Sequence, residues 1–428
     1  MNSIETLLME YASQIQNSPW FPPPNGLPAP WQTYHGYTHD GPPPHPENIP
    51  PRRLVGYYPG WATYPKSRRN AILSLSLPGV THLIYAFARI VNGTMGPMDI
   101  YMDTKYPFDP NKRLRGNYGQ LYLLKKRYPH LRIPIAIGGW GSSGNFSKIA
   151  ASAAARTRFA QSVVHFLHRW PVFDGIDIDW EYPGKGGGGQ GGGPKDKHNF
   201  TLLVRTLRQH LGKKYSLSLA VGAGKRHIAN IEPAALAPYV DWITVMTYDF
   251  RGSWDKINGH HTPLFSDPTA PPNMKNTVKE ENVSASILRY LAAGVPAHKL
   301  NMGLAFYGRL WTQCNPQHHG EYQFCAKGNR RGLGSQGILD YPDVLKFQKL
   351  GAQKYFNPHA KVPFLWYPKE GVFISYDDPT SLRPKIQWAR KHHLGGLTIW
   401  NLDNDRSGVL FNEVQHTWSQ SKNYGNHP

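Results

Sequence analysis

Eight short apolar runs, separated by helical patterns, constrain this chain more than any other feature. The runs are Leu54–Tyr58, Thr81–Ala88, Ile133–Ile137, Gly175–Trp180, Ser216–Val221, Trp242–Met246, Leu300–Ala305 and Gly396–Trp400. Several lack the polar alternation of a half-exposed strand, as expected of parallel strands covered on both faces. Between them lie stretches that run into helix stop signals: Tyr118–Tyr128 before Pro129, Phe146–Trp170 before Pro171, Lys197–Leu211 before Gly212, Val283–Ala293 before Gly294, and Ser381–His392 shortly before Gly395. The alternation predicts an α/β fold of the (β/α)8 TIM-barrel type. A doubly wound sheet of six or seven strands is the alternative. It calls for a glycine-rich phosphate turn after the first strand, and YYPGWATYP contains no G-x-G-x-x-G.

The rhythm breaks once. The stretch from Tyr307 to Leu394 is too long for a single crossover. Within it Gly337–Leu350 reads as helix, and Val362–Tyr367 and Gly371–Tyr376 read as strands. We expect a small α+β insertion at 309–377, between strands 7 and 8, deepening one wall at the C-terminal face of the barrel. Residues 1–51 read as a Pro-rich extension and 52–428 as the barrel. The run Gly184–Lys197 is too glycine-rich for regular structure and reads as a surface loop.

Composition excludes several classes. The two cysteines, Cys314 and Cys325, rule out a disulfide-stapled module; one local bridge and two free thiols both remain open. The net charge of +20 favours acidic surroundings, but it is dispersed without a long Lys/Arg block, so no nucleic-acid partner is expected. No apolar stretch is long enough to span a membrane. The first twenty residues carry two acids and no basic start, unlike an ordinary signal peptide. The histidine pairs at 260–261, 318–319 and 392–393 have adjacent spacing that suits solvent-facing loops better than a metal site.

The chemistry concentrates in Phe173–Pro183, which reads F-D-G-I-D-I-D-W-E-Y-P. On a strand, Asp177, Asp179 and Glu181 share one face, and Ile176, Ile178 and Trp180 share the other. Carboxylates spaced roughly 6–7 Å apart along one face cannot all ionise, so protons are shared and pKa values pushed apart. That is a condition for acid catalysis. The plain alternative, a solvated edge strand, conflicts with the apolar opposite face. Asp174 falls out of this parity and is expected to fix the start of the strand.

The segment D-G-I-D-I-D-W-E-Y-P resembles the fourth-strand signature of family 18 glycoside hydrolases, the chitinases. The likeness extends in order through LVGYYPGW, THLIYAFA, IAIGGWG, MTYDF, LNMGLAFYGR and GGLTIWNLD. It implies a retaining chitinase that hydrolyses β-1,4 links between N-acetylglucosamine units by substrate-assisted catalysis. No cofactor or metal is implied. Glu181 would be the proton donor, Asp179 would orient the acetamido group, Asp177 would share a proton with Asp179, and Tyr248 would donate to the acetamido oxygen. Trp400 is implied as the floor of the −1 sugar, Met246 as lining beneath it, and Trp140 as a product-side platform. Asp249 would meet the sugar or Glu181. Tyr57, Phe87, Tyr307 and Arg309 are lesser candidates, with Trp254 at the rim. The alternatives are a chitin-binding lectin of the same fold and an endo-β-N-acetylglucosaminidase acting on N-glycans; the complete acidic set argues against the first. A monomer acting on chitin and chitooligosaccharides is expected. The substrate suggests an extracellular setting, while the N-terminus leaves an intracellular or viral one open.

Overall fold

The computed structural model describes residues 52–64, 71–108, 114–184, 186, 192–327 and 337–420. The Pro-rich extension lies outside the described residues, as do 185 and 187–191 of the glycine run. Eight parallel strands close into a barrel: β1 (Arg53–Pro59), β2 (His82–Val91), β3 (Pro134–Gly138), β4 (Gly175–Asp179), β5 (Ser216–Gly222), β6 (Trp242–Met246), β7 (Leu300–Ala305) and β8 (Gly396–Trp400). Neighbours pair in chain order, and β1 closes the ring by pairing with both β2 and β8. The short strand Thr94–Pro97 folds back antiparallel on β2.

Period-two alternation sorts the side chains into two layers. Leu54 and Tyr58, Leu83 and Tyr85, Ile135 and Ile137, and Ile176 and Ile178 join the core beneath the helices, where Phe200, Leu203 and Val204 of helix Asp196–Leu211 meet them. The alternate positions form a second, interior cluster of Val55, Tyr57, Ile84, Ala86, Phe87, Ala136 and Trp242. Polar interior residues satisfy one another: Arg53 donates to Asn301, Asn301 to Thr398, and Thr398 bonds Thr244. Every group in that buried network has a partner, which keeps its desolvation cost low.

The helix expected over 146–170 is two helices, Phe146–Ala150 and Ala153–Arg169. Ser152 adopts an extended conformation between them, and its hydroxyl accepts the Ala155 N–H as a cap. The expected helix over 337–350 is likewise corrected. Ile338–Asp340 pairs antiparallel with Tyr307–Arg309, and the helix runs from Tyr341 to Lys349 with Pro342 in its first turn.

Between β7 and β8 stands a second sheet, ordered Cys325–Lys327, Tyr307–Cys314, Val372–Ser375, Val362–Tyr367 and Gln353–Asn357, with Ile338–Asp340 also on Tyr307–Cys314. It has its own core of Trp311, Phe364, Trp366 and Phe373 against the Cys314–Cys325 disulfide. Asn258 donates its side-chain N–H to both sulfurs. Lys385, on helix Pro379–Lys391, is fully buried and spans Asp377 at the end of this sheet and Thr262. The disulfide closes a loop with a sequence separation of 11. On the loop-entropy argument, replacing both cysteines by serine should lower stability by about 2–3 kcal/mol. Denaturant unfolding of the double variant measures this, and an unchanged midpoint would show that the loop is held without the bridge.

Candidate active site

The acidic strand delivers its carboxyls to the C-terminal mouth of the barrel, where side chains from neighbouring strand ends converge. β4 is buried along its whole length and ends at Asp179. The shared strand face expected for all three acids therefore holds for Asp177 and Asp179 only. Glu181 lies past the strand, because its N–H donates to the Ser143 hydroxyl rather than to a neighbouring strand. Ser143 in turn donates to the carbonyls of Gly139 and Asp179, which ties the end of β3 to the end of β4. Asp174 sits at the opposite end of β4. It accepts from Lys125 and from the Ile133 N–H, with Arg132 at 3.8 Å.

The three acids have different surroundings. Asp177 is wholly enclosed. It accepts from the Tyr57 hydroxyl at 2.6 Å and the Ser218 hydroxyl at 2.5 Å. Burial raises its pKa to about 6, against the pull of those two donors. Asp179 is buried with Oδ1 lacking any hydrogen-bond partner. Burial first, then the charges of Glu181 and Asp177, push its carboxyl well above the usual range. Burial also raises Glu181, to about 7; Asp249 adds to the rise, and hydrogen bonds from Tyr182 and the Trp140 backbone oppose it. A carboxyl poised near neutrality beside two buried acids can hold and release a proton at physiological pH.

Opposite them, Tyr248 and Asp249 follow the end of β6. Tyr248 has Asp179, Glu181 and Asp249 as charged neighbours, and burial pushes its hydroxyl far above its ordinary pKa, so it stays a donor. Asp249 accepts from Tyr307 at 2.7 Å and from Arg309 at 2.8 and 2.6 Å. Burial favours its neutral form, but the charge and hydrogen bonds of Arg309, with His261 and the Tyr307 hydroxyl, together outweigh burial and hold its pKa below the ordinary value. The buried Arg309 guanidinium lies 4.9 Å from the Trp254 ring centroid and 5.5 Å from that of Tyr307. Tyr307 and Arg309, ranked low from sequence, thus act on Asp249.

Aromatic rings border these acids. Trp400, at the end of β8, lies 5.9 Å from Phe87 in a stacked arrangement and 5.2 Å from Tyr57. Trp61 also stacks on Phe87, at 6.0 Å. Met246 ends β6 with little exposure. Trp140 and Trp254 are 45% and 55% exposed, unusual for tryptophan and suited to contact with a ligand.

The histidine pair 260–261 is not solvent-facing. Both rings are buried, because His260 Nε2 bonds Glu321 and His261 packs on the Tyr307 ring with Nδ1 3.9 Å from Asp249. Sequence reasoning also passed over Ser143, Ser218, Tyr182 and His227. The Tyr182 ring stacks on His227 at 4.0 Å, and His227 nests on Gly222, where a Cβ would come within 2.6 Å of the imidazole. Tyr182 and Ser218 had a signal, the first inside the acidic motif and the second by inward parity on β5. Ser143 and His227 had none, since each acts only through a tertiary contact.

Comparison with known proteins adds to this geometry. The family model described as Glycosyl hydrolases family 18 matches residues 53–405. Chitinase A1 of Niallia circulans is 38% identical over 407 residues, covering 85% of this chain; the chain spans 58% of that relative's length. Chitinase 1 of Aphanocladium album is 32% identical, with 82% of this chain and 81% of the relative covered. Among solved structures, chitinase ChiA74 from Bacillus thuringiensis superposes with a TM-score of 0.78 at 32% identity, covering 87% of this chain and 71% of that one.

Proposed function

Because the chain belongs to family 18 of the glycosyl hydrolases, we propose that it is a retaining chitinase cleaving β-1,4 links between N-acetylglucosamine units by substrate-assisted catalysis. The observation that carries this is the buried series Asp177, Asp179 and Glu181 at the barrel mouth, with Glu181 raised to about 7. Protonated Glu181 gives its proton to the glycosidic oxygen as the bond to the anomeric carbon breaks. The substrate's acetamido oxygen forms the new bond to that carbon, giving an oxazolinium ion. Asp179 orients the acetamido N–H and balances the developing positive charge, and Asp177 supports it through a shared proton. Tyr248 donates to the acetamido group. Water then opens the oxazolinium with Glu181, now a carboxylate, as base, so the anomeric configuration is retained.

Trp400 supplies the hydrophobic floor for the reacting sugar, with Met246 beneath it. Trp140 and the Arg309-backed Trp254 supply platforms for further sugars. Asp249, kept charged by Arg309, holds a like charge near Glu181 and so helps keep the donor protonated. Residues 309–377 form a wall beside the cleft and make room for a linear polymer. A chitin substrate favours an extracellular setting, with an intracellular or viral one open. Among the described residues no helix is long and apolar enough to cross a membrane.

Product analysis on a defined hexamer of N-acetylglucosamine tests the reading. Soluble shorter oligomers appearing first as the β-anomer are expected. An initial α-anomer would overturn retention, and an intact hexamer would overturn the hydrolase in favour of a lectin.

A further inference from the structure

Basic residues gather where the chain enters the barrel strands. The segments that lead into the eight strands, together with the last turns of the helices before them, make up the N-terminal face of the barrel, opposite the acids of β4. The last turns of helices Gly116–Arg127, Ala153–Arg169, Asp196–Leu211 and Pro379–Lys391 are all basic. Basic residues favour helix C-termini because they complement the macrodipole, which explains any one of them singly. It does not explain Arg52, Lys213 and Lys214, which lie beyond helix ends and are exposed. Nor does it explain the dearth of acids. In the lead-in segments 52, 75–81, 128–133, 170–174, 212–215, 237–241, 293–299 and 392–395 the carboxylates are Asp174 and Asp241, and each is already held by Lys125 or Arg208.

We infer that this face is a docking surface for an acidic polysaccharide, with the cleft directed away from it. Exposed Arg52, Lys126, Arg127, Lys213, Lys214 and Lys391 stand just before β1, β3, β5 and β8, so they are distributed around the bottom of the barrel and do not line one groove. Two features favour a polysaccharide over single-stranded nucleic acid and over a membrane. Single-stranded nucleic acid is held by bare aromatic platforms, whereas here Lys126 lies over Tyr122 and Lys214 over Tyr215, each at 5.0 Å, so the rings are already covered. Membrane surfaces are gripped by inserted apolar side chains, and the large exposed hydrophobics among the described residues, such as Trp140 and Trp254, lie outside these segments. A glycan with a carboxylate on each repeat needs only spaced cations.

The test uses the full chain and two quadruple variants of equal charge change. One, K126E/K213E/K214E/K391E, reverses the ring. The other, K148E/K275E/K279E/K369E, changes exposed lysines elsewhere. Binding to polygalacturonate is measured at low ionic strength, with duplex DNA and phosphatidylserine vesicles in parallel. Wild type and the second variant should bind polygalacturonate alike, and the ring variant should lose affinity about tenfold or more. Hexamer hydrolysis should be unchanged, and melting should fall by no more than a few degrees, since Lys126 and Lys391 sit in last turns of helices; if the ring variant does not fold, the K→Q quadruple replaces it. Equal loss in both variants would reduce the effect to net charge and overturn the inference, as would absent binding by wild type. Tighter binding of DNA or vesicles than of polygalacturonate would overturn the choice of partner.

Discussion

Glu181→Gln should lose about 10²–10⁴-fold in kcat on N-acetylglucosamine oligomers and keep their binding, because the amide fills the same space without a proton to give. The direction of the pH profile follows from the same carboxyl. Burial raises Glu181 to about 7, so it is protonated below that value and ionised above it. As a general acid it works in the protonated form, and wild-type kcat/KM should fall as pH rises through about 7. That limb should vanish in the variant. An aryl glycoside whose leaving group departs without protonation should lose much less rate than an oligomer does. A variant that cleaves the hexamer at the wild-type rate would remove Glu181 from the role of donor.

Asp179→Asn should lower turnover about 10²–10³-fold with a smaller change in KM, the loss expected when a charged group facing a developing charge is removed. Asp179 is raised by burial and by the neighbouring charges of Glu181 and Asp177. Burial and Asp249 are what raise Glu181, so its alkaline limb should stay near pH 7 in this variant. Asn cannot exchange a proton with Asp177, whereas Glu can. A variant with wild-type turnover would sink both the charge-balancing and the proton-sharing roles.

Much of this was legible along the chain. The strands β6, β7 and β8 coincide with the expected apolar runs, and the others differ by a residue or a few at an end. A strand buried on both faces writes its length directly as a run of apolar residues. Reading failed where local pattern and long-range contact disagree. Ile338–Asp340 has no strand signature of its own, and it is a strand because Tyr307–Arg309 offers it an edge. The helix over 146–170 looked continuous by periodicity, and one serine hydroxyl divides it. The acids of the candidate site were legible by parity, yet the partners that tune them come from other strands. Tyr57 reaches Asp177 from β1, and Arg309 reaches Asp249 from the second sheet. His260 and His261 illustrate the opposite error, since adjacency suggested solvent and a carboxylate plus a tyrosine ring supplied the interior.

The pairing of β1 with β8 carries a cost in the order of assembly. Arg53 meets Gly396 near the two extremes of the described chain, and the whole second sheet intervenes between β7 and β8. The ring can therefore close only after the other seven strands and the second sheet have been made, and contacts of such long range are the slowest to form. Until then β1 and β7 each present an unpaired parallel edge, the kind of surface that recruits strands from other chains. A nascent chain stopped short of Gly396 holds Asp177, Asp179, Glu181 and the strands of the second sheet but lacks the strand that joins β1 to β7, which leaves two adhesive margins. Solubility during synthesis thus depends on the last apolar run as much as on any residue at the barrel mouth.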